Sequence, residues 1–277
     1  MEDDIKVNQT LWNKKTDIHI HSKMYDNKGF LAGKTSLEDI ELALLGDIKG
    51  KKILHLQCHF GQDTMSLARM GAHVTGVDLS NVAIEKANTY AKQLNLTDKV
   101  KFICCDVLTL DQHLVEEFDL IFTSYGTITW LPKLDKWGTL IAHFLKPTGR
   151  FIFVEFHPVL WMLDDDFKKL AYPYFNKKTF HEEYTASYTD GVGHEPTMGY
   201  SWNHPLSEVF SNLLINKLII TDFQEYDTSP YNCFPNTVKS ENGFQIKGFE
   251  GKLPMVYSIV AGKGRTVSSP PIEAPFN

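Results

Sequence analysis

The strongest chemical signal in the chain is one acid set against one turn. The stretch Lys51 to Ser80 reads KKILHLQCHFGQDTMSLARMGAHVTGVDLS and places Asp78 roughly 20 residues beyond a turn centred on Gly61. A carboxylate at the end of a strand can accept hydrogen bonds from both hydroxyls of a ribose. A turn that opens a helix brings bare backbone N–H groups to a ligand. Further along, Tyr125, Trp130, Glu155 and His157 follow strand-like runs, and Tyr200, Trp202, Asn203 and His204 cluster together. A histidine such as His157 is suited to general-base work near neutral pH; the alternative is a ring tied to backbone beside Pro158.

The glycine pattern separates the two obvious ligands. A dinucleotide fingerprint needs glycines where Gln57 and His59 stand, because a pyrophosphate must lie against bare backbone. Only Gly61 survives of the three. S-adenosyl-L-methionine has no phosphate, so bulkier residues beside the turn are tolerable and a polar one can meet the ligand's carboxylate or ammonium. The pattern therefore favours S-adenosyl-L-methionine over NAD or FAD. Eleven histidines invite a metal, but the pairs His19/His21 and His55/His59 lack a clear third ligand, so no metal site is expected.

The elements that must position these residues alternate. Strands are expected at Ile53 to Gln57, His73 to Asp78, Val100 to Cys105, Leu120 to Thr123 and Arg150 to Phe156. Helices are expected from Ser36, after Gly61, from Ser80 as N-cap, and over Leu134 to Leu145, which a Pro147-Thr148-Gly149 turn follows. Such alternation predicts a mostly parallel α/β sheet covered on both faces. From Val159 to Ser201 the rhythm breaks into charges and aromatics, which reads as an inserted cap with a short antiparallel ribbon. A helix from Pro205, burying Val209, Leu213 and Leu214, precedes a strand at Leu218 to Phe223, a long loop and a last, antiparallel strand at Met255 to Ala261. Residues 1–35 lack clear periodicity and read as an N-terminal flap over the ligand or, equally, as a simple extension; residues 36–262 form the main domain with the cap at 159–201, and 263–277 a loose tail.

Composition narrows the partners. With 277 residues, 43% hydrophobic, the chain can bury one large core, and its formal charge of −6 argues against a nucleic-acid backbone. The four cysteines, Cys58, Cys104, Cys105 and Cys233, have no zinc-like spacing and suit a reducing, cytoplasmic setting. The polar start MEDDIKVNQTLWNKK has no apolar h-region, so secretion by a signal peptide is not expected, and no apolar run reaches the length of a membrane span. A small-molecule partner is the expectation, with the oligomeric state open.

Five segments in register, ILHLQCHFG, VTGVDLS, VKFICCDV, FDLIFTSYG and LKPTGRFIFVEF, make residues 45 to 262 resemble the class I S-adenosylmethionine-dependent methyltransferases. LQCHFGQDT, EFHPV and YSWNHPLSEV look more narrowly like an uncharacterised bacterial small-molecule branch. The resemblance implies a Rossmann-like three-layer sandwich with a seven-stranded sheet. It implies that Gln57 and Gly61 border the methionine moiety, with Cys58 and His59 lining the turn. By the same resemblance Asp78 holds the ribose, Leu79 lies on the adenine, Asp106 and Val107 meet its edge, and Ser124 nears the sulfur. The family usually has an acid at His55 and glycines at Gln57 and His59, so the methionine end departs from the pattern.

In-line methyl transfer needs alignment, dehydration and, for some acceptors, a base. His157 and His204 are the candidate catalytic groups, and Tyr125, Trp130, Glu155, Tyr200 and Trp202 the candidate substrate contacts. Glu155 reads equally as a buried partner for a histidine. A DNA amino-methyltransferase is disfavoured, because Ser124-Tyr125-Gly126-Thr127 replaces that branch's Asn/Asp-Pro-Pro-aromatic motif. The alternatives are an NAD(P)-dependent oxidoreductase on a similar sheet and a non-catalytic S-adenosylmethionine-binding protein.

Overall fold

A computed structural model describes residues 2–175, 178–189 and 193–264. The chain begins with three helices, α1 (Glu2–His19), α2 (Asn27–Leu31) and α3 (Asp39–Leu45). α1 is a full helix where the sequence offers no apolar stripe. Its buried face is polar, with Asn8, Lys15, Thr16 and His19 joining Leu11 at helical spacing. α3 starts three residues later than expected, because Ser36 does not cap it. The Ser36 hydroxyl instead donates to Asp63 Oδ1 at 2.6 Å.

The first βαβ unit follows the sequence closely. β1 (Lys52–Leu56) runs into a turn, α4 (Gln62–Arg69) and β2 (His73–Asp78). α5 (Asn81–Gln93) is capped by Ser80, whose Oγ accepts from Ala83 N at 3.0 Å. β3 (Val100–Cys104), β4 (Phe118–Ser124), α6 (Asp135–Phe144) and β5 (Leu145–Phe156) complete the alternating part. The Pro147-Thr148-Gly149 turn appears as a bulge: Phe118 faces Leu145, yet Leu120 already faces Arg150.

Beyond β5 an antiparallel ribbon is built from β6 (Phe180–Ala186) and β7 (Gly193–Ser201). α7 (Leu206–Ile215) buries Val209 and Leu213, but Leu214 is 56% exposed and does not join the core. β8 (Leu218–Tyr226) leads into a segment expected to be loop. That segment contains a small hairpin, β9 (Thr237–Ser240) and β10 (Gly243–Ile246). β11 (Val256–Lys263) closes the fold. The expected tail falls almost wholly on residues 265–277, and the expected Asp190-Gly191 turn on 190–192, outside the described residues.

The main sheet has seven strands in the order β3-β2-β1-β4-β5-β11-β8. All pairs are parallel except those of β11, which runs antiparallel to both β5 and β8. Chain direction across the sheet reverses between β1 and β4, and the crevice at such a switch point is where open α/β sheets bind ligands. Helices cover both faces. One apolar cluster centres on Trp137, Phe151, Phe153 and Tyr257, and another joins Leu45, Ile53, Phe122 and Ile152. No helix among the described residues is long and apolar enough to cross a membrane.

Trp137 stands edge-on to Phe151 and Phe153, with centroids 5.6 and 5.4 Å away, and locks α6 onto β5. We expect Trp137→Ala to lower unfolding free energy by about 3–5 kcal/mol, measured by urea denaturation followed by circular dichroism.

Candidate active site

The turn between β1 and α4 has an alternating backbone. Gln57, His59 and Gly61 take φ values of 53°, 51° and 77°. All three positions adopt the left-handed conformation that glycine favours, and two carry side chains at a cost on the order of 1 kcal/mol each. Gly61 has no alternative, because a Cβ there would lie 2.6 Å from the Phe102 ring. Gln57 uses its side chain to donate from Nε2 to the Thr127 carbonyl at 2.8 Å, tying the turn to the segment after β4. Where an acid was expected, His55 is buried, hydrogen-bonded to Thr64 Oγ1 at 2.8 Å and pushed by burial to about pKa 3, so it is neutral.

Asp78 closes the other side of the turn. Its Oδ2 accepts from His59 N at 2.7 Å and its Oδ1 from Ser80 N at 2.8 Å. Burial raises this carboxyl to about 6 despite those amides. Asp106, after β3, accepts from Leu108 N at 2.9 Å and is also raised by burial.

The second lip is the turn after β4, where Tyr125 and Gly126 again take positive φ, 45° and 69°. A buried carboxylate, Glu155, fastens it. Glu155 accepts from the N–H of Thr127 (2.7 Å), Ile128 (3.2 Å) and Phe156 (2.7 Å), from Thr127 Oγ1 (2.9 Å), and from Gly126 N. Ser124 Oγ sits 3.4 Å from Asp63 Oδ2, at the start of α4. Desolvation pushes Asp63 up to about 6.

Between the lips lies a cavity of about 550 Å³. Its walls include the turn residues Gln57, Cys58, His59 and Gly61, and Asp78, Leu79, Asp106 and Val107 along one edge. Ser124, Tyr125, Trp130 and Trp202 line it from the other side. α1 and the ribbon roof it. His19 Nδ1 is 2.8 Å from His59 Nε2, and its Nε2 is 2.7 Å from Ser187 Oγ. The Tyr25 and Tyr188 hydroxyls meet at 2.6 Å. Asn8 pairs through its side-chain amide with both the N–H and the carbonyl of Tyr200, at 2.8 Å each.

Four expected site residues lie elsewhere. His157 is only 3% exposed; its Nε2 is 3.0 Å from Glu225 Oε1 on β8, and its Nδ1 accepts from Val159 N at 3.3 Å. That ring fastens the exit of β5 and does not line the cavity. His204 likewise bonds the Leu131 carbonyl (2.7 Å) and Glu208 (3.0 Å), pinning the entry of α7. Glu155 is the hub beneath the post-β4 turn and does not line the cavity wall. Tyr200 lies tilted against His181, ring centroids 4.5 Å apart, off the cavity.

The sequence reading also missed several lining groups: Lys15, Glu38 and Asp63, with Trp12, Tyr184 and Tyr231. Lys15 is 3% exposed and lies over the rings of Trp12, Trp130, Tyr184 and Tyr188, 4.4 to 5.7 Å from their centroids. Burial lowers its pKa to about 8.

Residues 47–195, just over half of the chain, match a family model described as a methyltransferase domain. A sterol 24-C-methyltransferase of Saccharomyces cerevisiae is 27% identical over 190 residues, covering 62% of this chain and 47% of that protein. A ubiquinone biosynthesis O-methyltransferase of Coxiella burnetii is 32% identical over 106 residues, 38% of this chain and 44% of that protein. The chain thus spans about half the length, or less, of these curated relatives. Among solved structures, an S-adenosylmethionine dependent methyltransferase from Mesorhizobium loti superposes with a TM-score of 0.57 at 17% identity, over 83% of this chain and 99% of that one. The DhpI–SAH complex gives 0.55 at 15% identity, over 96% of this chain and 100% of that one. At those identities the likeness is one of fold. By its family match and its sheet, the chain belongs to the methyltransferase-domain family, on the fold of the class I S-adenosylmethionine-dependent enzymes.

Proposed function

We propose that the chain binds S-adenosyl-L-methionine in the crevice over β1 and β2 and transfers its methyl group to a small-molecule acceptor. One observation carries this reading: Asp78 stands across a glycine-dependent turn from polar atoms that lack partners. Gln57 Oε1 and His59 Nδ1 are buried and unbonded among the described residues. Gln57 Oε1 can only accept, so it fits a donor such as a methionine ammonium or a hydroxyl better than the oxygens of a pyrophosphate. His59 Nδ1 accepts or donates according to which nitrogen of the His19–His59 contact carries the shared proton. Each Asp78 oxygen takes one backbone N–H and keeps lone pairs for ribose hydroxyls. Asp106 and Val107 line the same cavity, which supports reading them as the contacts to an adenine edge.

The bound sulfonium supplies an activated methyl group, which a nucleophile's electron pair takes as the carbon–sulfur pair returns to sulfur. This chain's residues bind, orient and dehydrate. Asp78 and the 57–61 turn fix the donor's orientation, and Glu155 holds the facing lip rigid. We read α1 and the ribbon as the flap and cap that exclude water, supported by the His19, Tyr25 and Asn8 contacts. His157 and His204, fastened away from the cavity, are positioning groups in this reading. Four free thiols support a reducing, cytoplasmic setting. The similar sterol and ubiquinone-pathway enzymes support a small-molecule acceptor and differ in the atom they methylate, carbon in one and oxygen in the other.

Isothermal calorimetry with S-adenosylhomocysteine tests the reading. We expect binding to the parent protein and about 100-fold weaker binding to Asp78→Ala, the order set by two charge-assisted hydrogen bonds. Unchanged affinity in that variant, or binding of NAD in its place, overturns the assignment.

A pH dependence follows from the same carboxyl. Asp78 rises from 3.8 to about 6 in the fold, so the folded state holds its proton more tightly than the unfolded chain. Its contribution to stability is present below about pH 4 and is lost as pH rises through 6. Ligand affinity runs the other way, because the ribose contact needs the ionised form. Affinity for S-adenosylhomocysteine is expected to fall about tenfold between pH 8 and pH 5, with a smaller fall in Asp78→Asn.

A further inference from the structure

Beyond the crevice over β1 and β2 the cavity continues toward α3 and the loop around Tyr231. This end is aromatic and acidic together. Tyr125 meets Phe156 at 5.5 Å and Tyr231 edge-on at 5.1 Å, and Phe234 stands edge-on to Phe156 at 4.8 Å. Glu38 and Asp63 line the same end. Behind them Glu41 is 0% exposed, with neither carboxyl oxygen hydrogen-bonded among the described residues. Its charged neighbours are Asp63 and Glu38, and the Tyr125 hydroxyl and its own backbone N–H are the donors that approach it, short of full hydrogen-bond geometry.

No lysine or arginine among the described residues comes within ion-pair distance of these three acids. Lys34, the cation nearest in charge to Glu38, pairs with Asp26 at 3.1 Å. Lys15 is enclosed by its own four rings. Lys34, at the cavity wall, acts on Glu38 only through space. Three carboxyls gathered in a low-dielectric pocket with no ion-paired cation are costly, and a cation placed among them removes the cost. Burial and mutual repulsion accordingly raise Glu41 to about 8, and raise Glu38 as well. Ring faces attract the same kind of ligand.

We propose that this end of the cavity is a cation subsite, in which Glu38 and Asp63, backed by Glu41 and walled by Tyr125 and Tyr231, take the ammonium group of an amine-bearing acceptor. The inference rests on the methyltransferase reading and names its substrate class. The hydroxyls of Ser36 and Ser124, hydrogen-bonded to Asp63, orient that carboxylate.

Three probes sharing one phenyl body test it: 2-phenylethylamine, 2-phenylethanol and phenylacetate, titrated calorimetrically into the full chain saturated with S-adenosylhomocysteine. The amine is expected to bind at least about tenfold tighter than the alcohol, with the carboxylate weakest. Glu38→Gln and Asp63→Asn should each weaken the amine about tenfold while S-adenosylhomocysteine affinity stays within about threefold. If Asp63→Asn does not fold, Glu38→Gln, on the cavity rim, carries the test alone. No preference for the amine, or no binding by any probe, overturns the inference and leaves the donor assignment standing. A loss of S-adenosylhomocysteine affinity that parallels the loss of amine affinity assigns these acids to the donor's own ammonium and also overturns it. Failure of the parent to bind S-adenosylhomocysteine at all sinks the underlying reading instead.

Discussion

The pair of hydrogen bonds that Asp78 accepts, from His59 N and Ser80 N, is the constraint on which the site depends. One carboxylate joins the β1 turn to the end of β2 and to the start of α5. Through Ser80 the link extends to α1, because the same hydroxyl that caps α5 donates to Asn13 Oδ1 at 2.7 Å. The turn has reason to need this support, since two of its three left-handed residues carry side chains. Anchoring both carboxylate oxygens also fixes the direction of their free lone pairs, which is what pre-organised binding of a diol requires.

A second buried carboxylate plays the matching part across the crevice. Glu155 gathers consecutive amides of the Gly126–Ile128 segment as a helix N-terminus would gather an anion, except that here the anion belongs to the protein. Burial raises its pKa, and the backbone donors oppose that rise. The two lips are therefore held by the same device, a desolvated acid that accepts main-chain N–H groups. Gln57 then bridges them through the Thr127 carbonyl.

The sheet was legible because its strands are apolar runs ended by turn residues, and because the 57–61 and 78 spacing encodes a backbone shape. The register of the cavity lining was legible in part, since strand ends on a parallel sheet converge on one edge. α1 was illegible for a physical reason: its inward stripe is polar, so no apolar periodicity marks it. Glu155 invited a histidine partner, but its true partners are amides, which no side-chain pattern announces. His157 follows β5 and turns away from the cavity to Glu225 on β8, a neighbour 68 residues on that no local pattern marks. Asp63 looks like an ordinary acid opening a helix until Ser36, 27 residues earlier, returns to it.

The polar character of the α1 seam has a mechanical consequence. An apolar seam resists parting because water gains nothing from entering it, whereas amide, imidazole and hydroxyl contacts can be exchanged one for one with solvent. The clasp formed by Asn8 with the Tyr200 backbone, and by His19 with Ser187, thus gives geometric definition at small energetic depth. α1 is tied on one side to the ribbon and on the other to the strand ends beneath, through Gln9 Nε2 to the Leu79 carbonyl at 2.9 Å and His19 Nδ1 to His59 Nε2 at 2.8 Å. Solvent can therefore replace the contacts of α1 on either side without the apolar layers of the sheet loosening.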